Sequence, residues 1–348
     1  MKISTCRSYF IVALEQREKI AMRNSQHPIR TGYSAATVAS EVLKDRDLTG
    51  LQAIVTGGYS GLGVETVRAL VNAGAKVLVP ARDLEKAART LQGINAEVLQ
   101  MDLADPTSID AFATEFLARN QPLDILINSA GIMACPLQRD ARGYELQFAT
   151  NHLGHFQLTA RLWPALVSAG NARVVSVSSR GHFFSDVDFE DPNFEHRDYD
   201  RWIAYGQSKT ANVMFVVGLD ARGQSQGVRA FALHPGAIVT ELSRHMNAEE
   251  LEAAGAFDAE GKPVADLSRG LKSIEQGAAT SVWAATSAQL GDLGGLYLED
   301  CDIAEIAPDP EPDVEPARIG VRSYAIDPVR AERLWALSEK LTGVSLST

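Results

Sequence analysis

Cysteine is scarce in this chain: Cys6, Cys135 and Cys301 are its three thiols in 348 residues. Thiols so few and so scattered support neither a disulfide framework nor a zinc site. They suit a reducing compartment, so a cytoplasmic location is expected. Cations are in deficit as well, with 33 Lys and Arg against 44 Asp and Glu, a net charge of −11. Such a chain repels polyanions, which excludes nucleic acid and an anionic membrane surface as expected partners. Long apolar runs are missing. Residues 9–14, behind Lys2 and Arg7, are faintly like a signal peptide but stop at Glu15. That is far short of the roughly 20 residues a membrane span needs. There is no internal repeat. Residues 1–30 read as an N-terminal extension, poorly ordered or weakly helical, with Met22 an alternative start.

What is present is a rhythm. Of the residues, 45% are hydrophobic, with 27 Gly and 14 Pro, enough for one large core. Apolar, β-rich runs at 52–56, 76–80, 97–101, 123–128, 173–178, 228–233 and 295–298 alternate with helical patterns at 62–73, 84–91, 106–120, 145–167, 202–219 and 273–286. Strands apolar on both faces are those of a parallel sheet covered by helices. The expected fold is α/β, a doubly wound, mainly parallel seven-stranded sheet with helices on both faces, as one domain over 31–348. Two stretches break the rhythm. Residues 180–203 form a polar and aromatic insertion. Residues 302–327 are Pro- and acid-rich and read as a loop, followed by an amphipathic helix at 328–341.

Thr56-Gly57-Gly58-Tyr59-Ser60-Gly61-Leu62-Gly63 follows the first strand and opens a helix. Glycines there let the backbone approach a pyrophosphate, while the helix N-terminus offers N–H donors and a positive dipole. The second strand ends at Arg82, where a guanidinium would pair with a ribose 2′-phosphate and favour NADP, with NAD the alternative. Asp83 is adjacent; one residue of register reverses the inference, and a surface Arg–Asp pair is the bland reading.

Tyr205 and Lys209 lie four apart, on one face if the stretch is helical. A free phenol, with a pKa of about 10, is a poor acid–base group at neutral pH. A lysine charge beside it lowers that value. The pair therefore suits a general acid–base working near pH 7.

Together these features resemble the short-chain dehydrogenase/reductase family over residues 50–236. The further motifs are Asp102 with Leu103 after the third strand, Asn128-Ser129-Ala130-Gly131, Asn151-His152-Leu153-Gly154-His155-Phe156, Ser178-Ser179, and His234-Pro235-Gly236 with Thr240 beyond. The resemblance is finer to the retinol-dehydrogenase-like and WW-domain-oxidoreductase-like branch, through Asn151–Phe156, the segment Val177-Ser178-Ser179-Arg180-Gly181-His182, and a long gap from Ser179 to Tyr205. It implies Tyr205 as proton donor or acceptor, Lys209 lowering its pKa and bonding the nicotinamide ribose, Ser179 polarising the substrate oxygen, and Asn151 holding a relay water. It implies cofactor contacts from Gly57, Tyr59, Ser60, Gly61, Leu62, Gly63, Arg82, Asp102, Leu103, Asn128, Ala130, Gly131, Tyr205, Lys209, Pro235, Gly236, Ile238 and Thr240. A homodimer or homotetramer built on the Tyr205 helix and its neighbour is also implied, unless the insertion blocks that surface.

The expected activity is NADP-preferring interconversion of a ketone or aldehyde and an alcohol on an apolar small molecule. An epimerase or dehydratase on the same fold, and a non-catalytic NADP(H)-sensing protein, are the rival readings. No metal is expected: His152 and His155 share a helix face but lack a third ligand at suitable spacing. The insertion's aromatics either cap the substrate or anchor the loop. Residues 241–270 are expected to form a substrate lid, and 302–348 a C-terminal extension with a structural or interaction role open to it. Cys135 reads as a small buried hydrophobe.

Overall fold

The computed structural model describes residues 26–258, 260–308 and 319–346. Eight strands form one sheet: β1 (Gln52–Thr56), β2 (Lys76–Ala81), β3 (Ala96–Gln100), β4 (Ile125–Asn128), β5 (Ala172–Val177), β6 (Val228–His234), β7 (Leu296–Glu299) and β8 (Asp302–Ile303). Their order is β3-β2-β1-β4-β5-β6-β7-β8. All neighbours are parallel until β8, which turns back antiparallel on β7. The eighth strand corrects the expectation of seven. It is two residues long inside a stretch read as loop, too short for a period-2 pattern to register.

Alternation along the strands sorts side chains to two cores. Ile54, Leu78, Leu126 and Val174 face one side, and Val55, Val77, Ile127 and Val175 the other. The second side is covered by α1 (Ala39–Val42), α2 (Leu62–Asn72), α3 (Leu84–Thr90) and, later in the chain, the helix Ile274–Thr286, whose Trp283 is wholly buried. The first side is covered by α4 (Pro106–Leu117), the short α5 (Leu146–Phe148), α6 (Gly154–Ala169) and α7 (Arg201–Gly223). The lid contributes α8 (Ala248–Ala253), Ile274–Thr286 is α9, and α10 (Pro328–Thr342) closes the described chain. Starts are set by caps: Asp83, Asp105, Asp200 and Asp327 each accept backbone N–H bonds, and Pro follows Asp105 and Asp327 at the first helical position.

Two expectations fail for local reasons. The helix read over 145–167 is interrupted by a π turn, Ala149–Leu153, between α5 and α6. Such a wide turn frees a backbone carbonyl, and here the Asn151 carbonyl bonds His155 Nδ1 at 2.9 Å. The loose extension through residue 30 stops short, because Gln26 is buried. Its Nε2 donates to Tyr297 O and Ala304 O, each at 2.6 Å, and its Oε1 accepts from Tyr297 N at 3.0 Å. Asp302 then accepts from Ile29 N and Arg30 N. Residues 1–25 lie outside the described part, as do 309–318 of the predicted loop. Helix α10 lies along α7, with Trp335 packed edge-on against Phe156 and stacked on Phe215. The C-terminal extension, rather than the insertion, thus covers the face that α6 and α7 share. Among the described residues no helix is long and apolar enough to cross a membrane.

Candidate active site

The strand order reverses between β1 and β4, so the chain leaves opposite ways from their C-terminal ends and a crevice opens there. A cavity of about 650 Å³ fills it. One wall is the glycine turn. Gly57 has φ +68, and a Cβ on it would stand 2.9 Å from Ala130 Cα. A Cβ on Gly63 would lie 2.1 Å from Gly57 O, so the turn can close onto the helix only as glycine. Thr56 Oγ1 accepts from Ser129 N and Ala130 N and meets His155 Nε2 at 2.9 Å, which locks this turn to the one after β4. His155 is thereby a structural link. His152 is another, bonded through Nε2 to Ser338 Oγ at 2.7 Å among Phe148, Phe156 and Phe215. Burial holds both rings neutral, at about 3 for His152 and about 4 for His155.

Of the residues expected to hold a cofactor, Gly57, Tyr59, Ser60, Gly61, Leu62, Gly63, Arg82, Asp102, Leu103, Ala130, Gly131, Tyr205, Lys209, Pro235, Gly236, Ile238 and Thr240 all line this cavity. Asn128 does not. It is buried behind the wall, with Nδ2 reaching Thr159 Oγ1 at 3.4 Å and Oδ1 unpartnered. The Asp102 carboxylate accepts from Ala104 N at 2.9 Å. Arg82 is exposed, and among the described residues its guanidinium has no ion pair. Asp83, its sequence neighbour, is engaged elsewhere: its carboxylate caps α3 by accepting from Lys86 N at 2.9 Å. The surface Arg82–Asp83 pair therefore does not form. A glycine cradle at a helix N-terminus and an unpaired guanidinium at the end of β2 fit a dinucleotide bearing a 2′-phosphate.

Ser179, Tyr205 and Lys209 meet at the cavity floor. Ser178 and Ser179 divide their work. Buried Ser178 donates from Oγ to Lys209 O at 2.7 Å, pinning α7 to the end of β5. Ser179 accepts from Gly181 N at 3.0 Å and lies beside the Tyr205 hydroxyl. The Lys209 ammonium donates to Val177 O at 3.0 Å and stands 5.6 Å from the Tyr205 ring centroid. The expectation that this lysine lowers the phenol's pKa is corrected by burial. Loss of solvent pushes Tyr205 up to about 12, against the pull of its Ser179 hydrogen bond, and brings Lys209 down to about 8. Asn151 does not reach the cavity either. Its Oδ1 accepts from Ile132 N, and its Nδ2 donates to Ile132 O and Ser208 Oγ, all at 2.9 Å. With both amide hydrogens used, Asn151 clamps the turn after β4 to α7, and its side chain has no donor left for a relay water.

The back of the site belongs to the C-terminal extension. His182, fully buried three residues after Ser179, bonds Ser179 O through Nδ1 at 2.7 Å and accepts from Arg322 N at Nε2. Tyr324 donates to His182 O at 2.6 Å. The insertion's aromatics split between the two readings. Phe184 and Trp202 line the cavity, 5.8 Å apart edge to face. Phe194 packs on Tyr199 under Arg197, while Phe189 sits beneath Arg330 and Arg333, so these anchor the loop. The lid is tethered to α7 by Glu250, which accepts from Arg201 Nη2 at 2.5 Å and Trp202 Nε1 at 3.0 Å. Sequence reasoning missed Lys86, Glu241 and Met133 as lining residues. Lys86, in the first turn of α3 and four residues beyond Arg82, is the one that a cation near the end of β2 could have signalled.

A sequence model of the short chain dehydrogenase family matches residues 52–251. A Streptomyces lividans protein described as "Probable oxidoreductase" is 47% identical over 300 residues, covering 83% of this chain and 96% of that one. Mouse retinol dehydrogenase 12 is 37% identical over 304 residues, covering 85% and 88% respectively. Among solved structures, an uncharacterised protein from Mycobacterium paratuberculosis superposes with a TM-score of 0.67 at 31% identity, over 90% of this chain and all of that one.

Proposed function

The chain belongs to the short-chain dehydrogenase/reductase family of oxidoreductases, in its retinol-dehydrogenase-like branch, and from that premise we propose that it interconverts a ketone or aldehyde and an alcohol with NADP as preferred cofactor. The observation that carries the reading is the convergence of Ser179, Tyr205 and Lys209 on the floor of the cavity whose wall is the glycine turn. The turn from Gly57 to Gly63 would hold the pyrophosphate, Arg82 the 2′-phosphate, Asp102 and Leu103 the adenine end, and Pro235, Gly236, Ile238 and Thr240 the nicotinamide end. The bound dinucleotide supplies or accepts the hydride.

The chain's own residues then have one task, to hold an oxygen and move a proton to or from it. Ser179 orients and polarises that oxygen. Tyr205 delivers the proton from its hydroxyl in reduction and takes it as the phenolate in oxidation. Lys209, linked to Val177 O and 5.6 Å from the Tyr205 ring centroid, would return the proton that Tyr205 gives up. Phe184, Trp202, Met133 and Leu242 make the substrate part of the cavity apolar, which favours an apolar carbonyl or alcohol. A cytoplasmic location is proposed on the thiol content. A homodimer or homotetramer would have to form outside the α6–α7 face that α10 covers.

The test is spectrophotometric. NADPH consumption with a panel of aromatic, aliphatic and polycyclic carbonyls should be lost in Tyr205→Phe, by a factor of about 100 or more, while NADPH binding is retained. Near-wild-type turnover in that variant would overturn the assignment. Arg82→Ala should weaken NADPH binding about tenfold or more and NADH binding little. Equal loss for both would remove the 2′-phosphate contact.

A further inference from the structure

A carboxylate sits where the dinucleotide reading places phosphates. Glu241 Oε2 pairs with Lys86 Nζ at 2.5 Å and accepts from Ser60 Oγ at 3.2 Å. Ser60 belongs to the glycine turn, Lys86 to the first turn of α3, and Glu241 to the start of the lid. All three line the cavity alongside Arg82. The strap that carries Glu241 crosses the glycine turn closely. The Thr240 side chain stands 3.1 Å from where a Cβ on Gly61 would project. The pair ties together elements 155 residues apart in the chain. It is also partly wet, with side-chain exposures of 37% for Lys86 and 60% for Glu241. An ion pair so exposed stabilises the fold little and opens at little cost. The Lys86 ammonium holds the Glu241 carboxyl below its usual range, so it is an anion at neutral pH.

Resting on the dinucleotide reading, we propose that Glu241 is a built-in competitor for the 2′-phosphate, occupying Lys86 and bridging to Ser60 until a nucleotide displaces it. Lys86 then joins Arg82 as a second cation for that phosphate. A 2′-phosphate carries up to two charges and three acceptor oxygens, against one charge on Glu241, so it out-competes the carboxylate. A nucleotide with a bare 2′-hydroxyl has nothing to offer Lys86 and gains less from its release. Opening the latch also frees the strap that begins the lid, so occupation of the nucleotide end and mobility of the substrate end are linked through one side chain.

The experiment is nucleotide binding followed by fluorescence, with stopped-flow association, on the full chain. Glu241→Gln should tighten NADPH about three- to fivefold, with a faster association rate, and leave NADH nearly unchanged. In a Lys86→Met background the gain from Glu241→Gln should vanish, because the cation it was shielding is gone. Unchanged NADPH affinity in Glu241→Gln, equal tightening of both nucleotides, or a gain that persists without Lys86 would each overturn the proposal. These outcomes leave the oxidoreductase reading standing. Wild-type protein that binds neither nucleotide would overturn that reading and the latch with it.

Discussion

Tyr205 and Lys209 are both almost wholly buried, and burial acts on them in opposite senses that lead to one state: a neutral phenol and a lysine that loses its charge early. This sets the pH dependence of the chemistry. In the proposed reaction, reduction would use a protonated Tyr205, which burial secures through neutrality, and a proton on Lys209 to replace the one given up. The rate of carbonyl reduction should therefore hold up to about pH 8 and fall as the pH climbs through the lowered value of Lys209. Alcohol oxidation needs Tyr205 as the phenolate to take the proton, and a phenol pushed up to about 12 is still protonated at pH 8, so oxidation should rise only at more alkaline pH. A pH–rate profile in both directions checks this, and a reduction rate that climbs between pH 7 and 9 would contradict it. The spacing of Tyr205 and Lys209 was legible in sequence because a helix puts i and i+4 on one face. The sign of the phenol's shift was not, because it depends on solvent exclusion by residues far away in the chain.

At the scale of elements, the π turn and α10 carry the most weight. The turn Ala149–Leu153 rotates Asn151 into the loop after β4, where its amide satisfies both backbone groups of Ile132. Periodicity alone reads straight through such a turn, since one extra residue barely disturbs a 3.6-residue pattern. Helix α10 was visible as an amphipathic stripe, but its docking was not. Trp335, 3% exposed, is held between Phe156, Phe215 and the Arg222 guanidinium. Trp335→Ala should cost about 3–5 kcal/mol of stability, read from chemical denaturation, because it opens a cavity across three helices. A cost near zero would mean α10 is loosely attached. The same extension reaches the site through Arg322 and Tyr324, both bonded to His182.

At the scale of the whole molecule, stability should be sensitive to mild acid. His152, His155, His182 and His234 are buried, and burial lowers all four below the ordinary histidine value. An unfolded chain protonates these rings near pH 6.5, while the folded one does so only near 3 to 4 for His152, His155 and His182. Between those limits the unfolded state binds more protons, so stability falls as pH falls below about 6.5. Each ring should cost on the order of 2 kcal/mol by pH 5. Glu145 and Glu299 oppose this, since burial raises both carboxyls and acid relieves them. Thermal melting between pH 7 and 5 should show a steady fall in Tm, and a flat profile would show that these rings are hydrated.

By itself the sequence determined the alternation of strands and helices, the glycine turn, the Tyr205–Lys209 pair and the Arg82 cation, because each depends on local periodicity or on residue types a few positions apart, whereas Ser179, 26 positions before Tyr205, was implied only by the family resemblance. The tertiary structure alone decided which candidates reach the cavity. It withdrew Asn128 and Asn151 behind the wall and brought Glu241 to Lys86 across the cavity. It also seated Gln26 on the sheet edge and the C-terminal segment against His182. These are contacts between residues far apart in the chain, formed by hydrogen bonding and burial once the sheet has closed, and no local pattern encodes them.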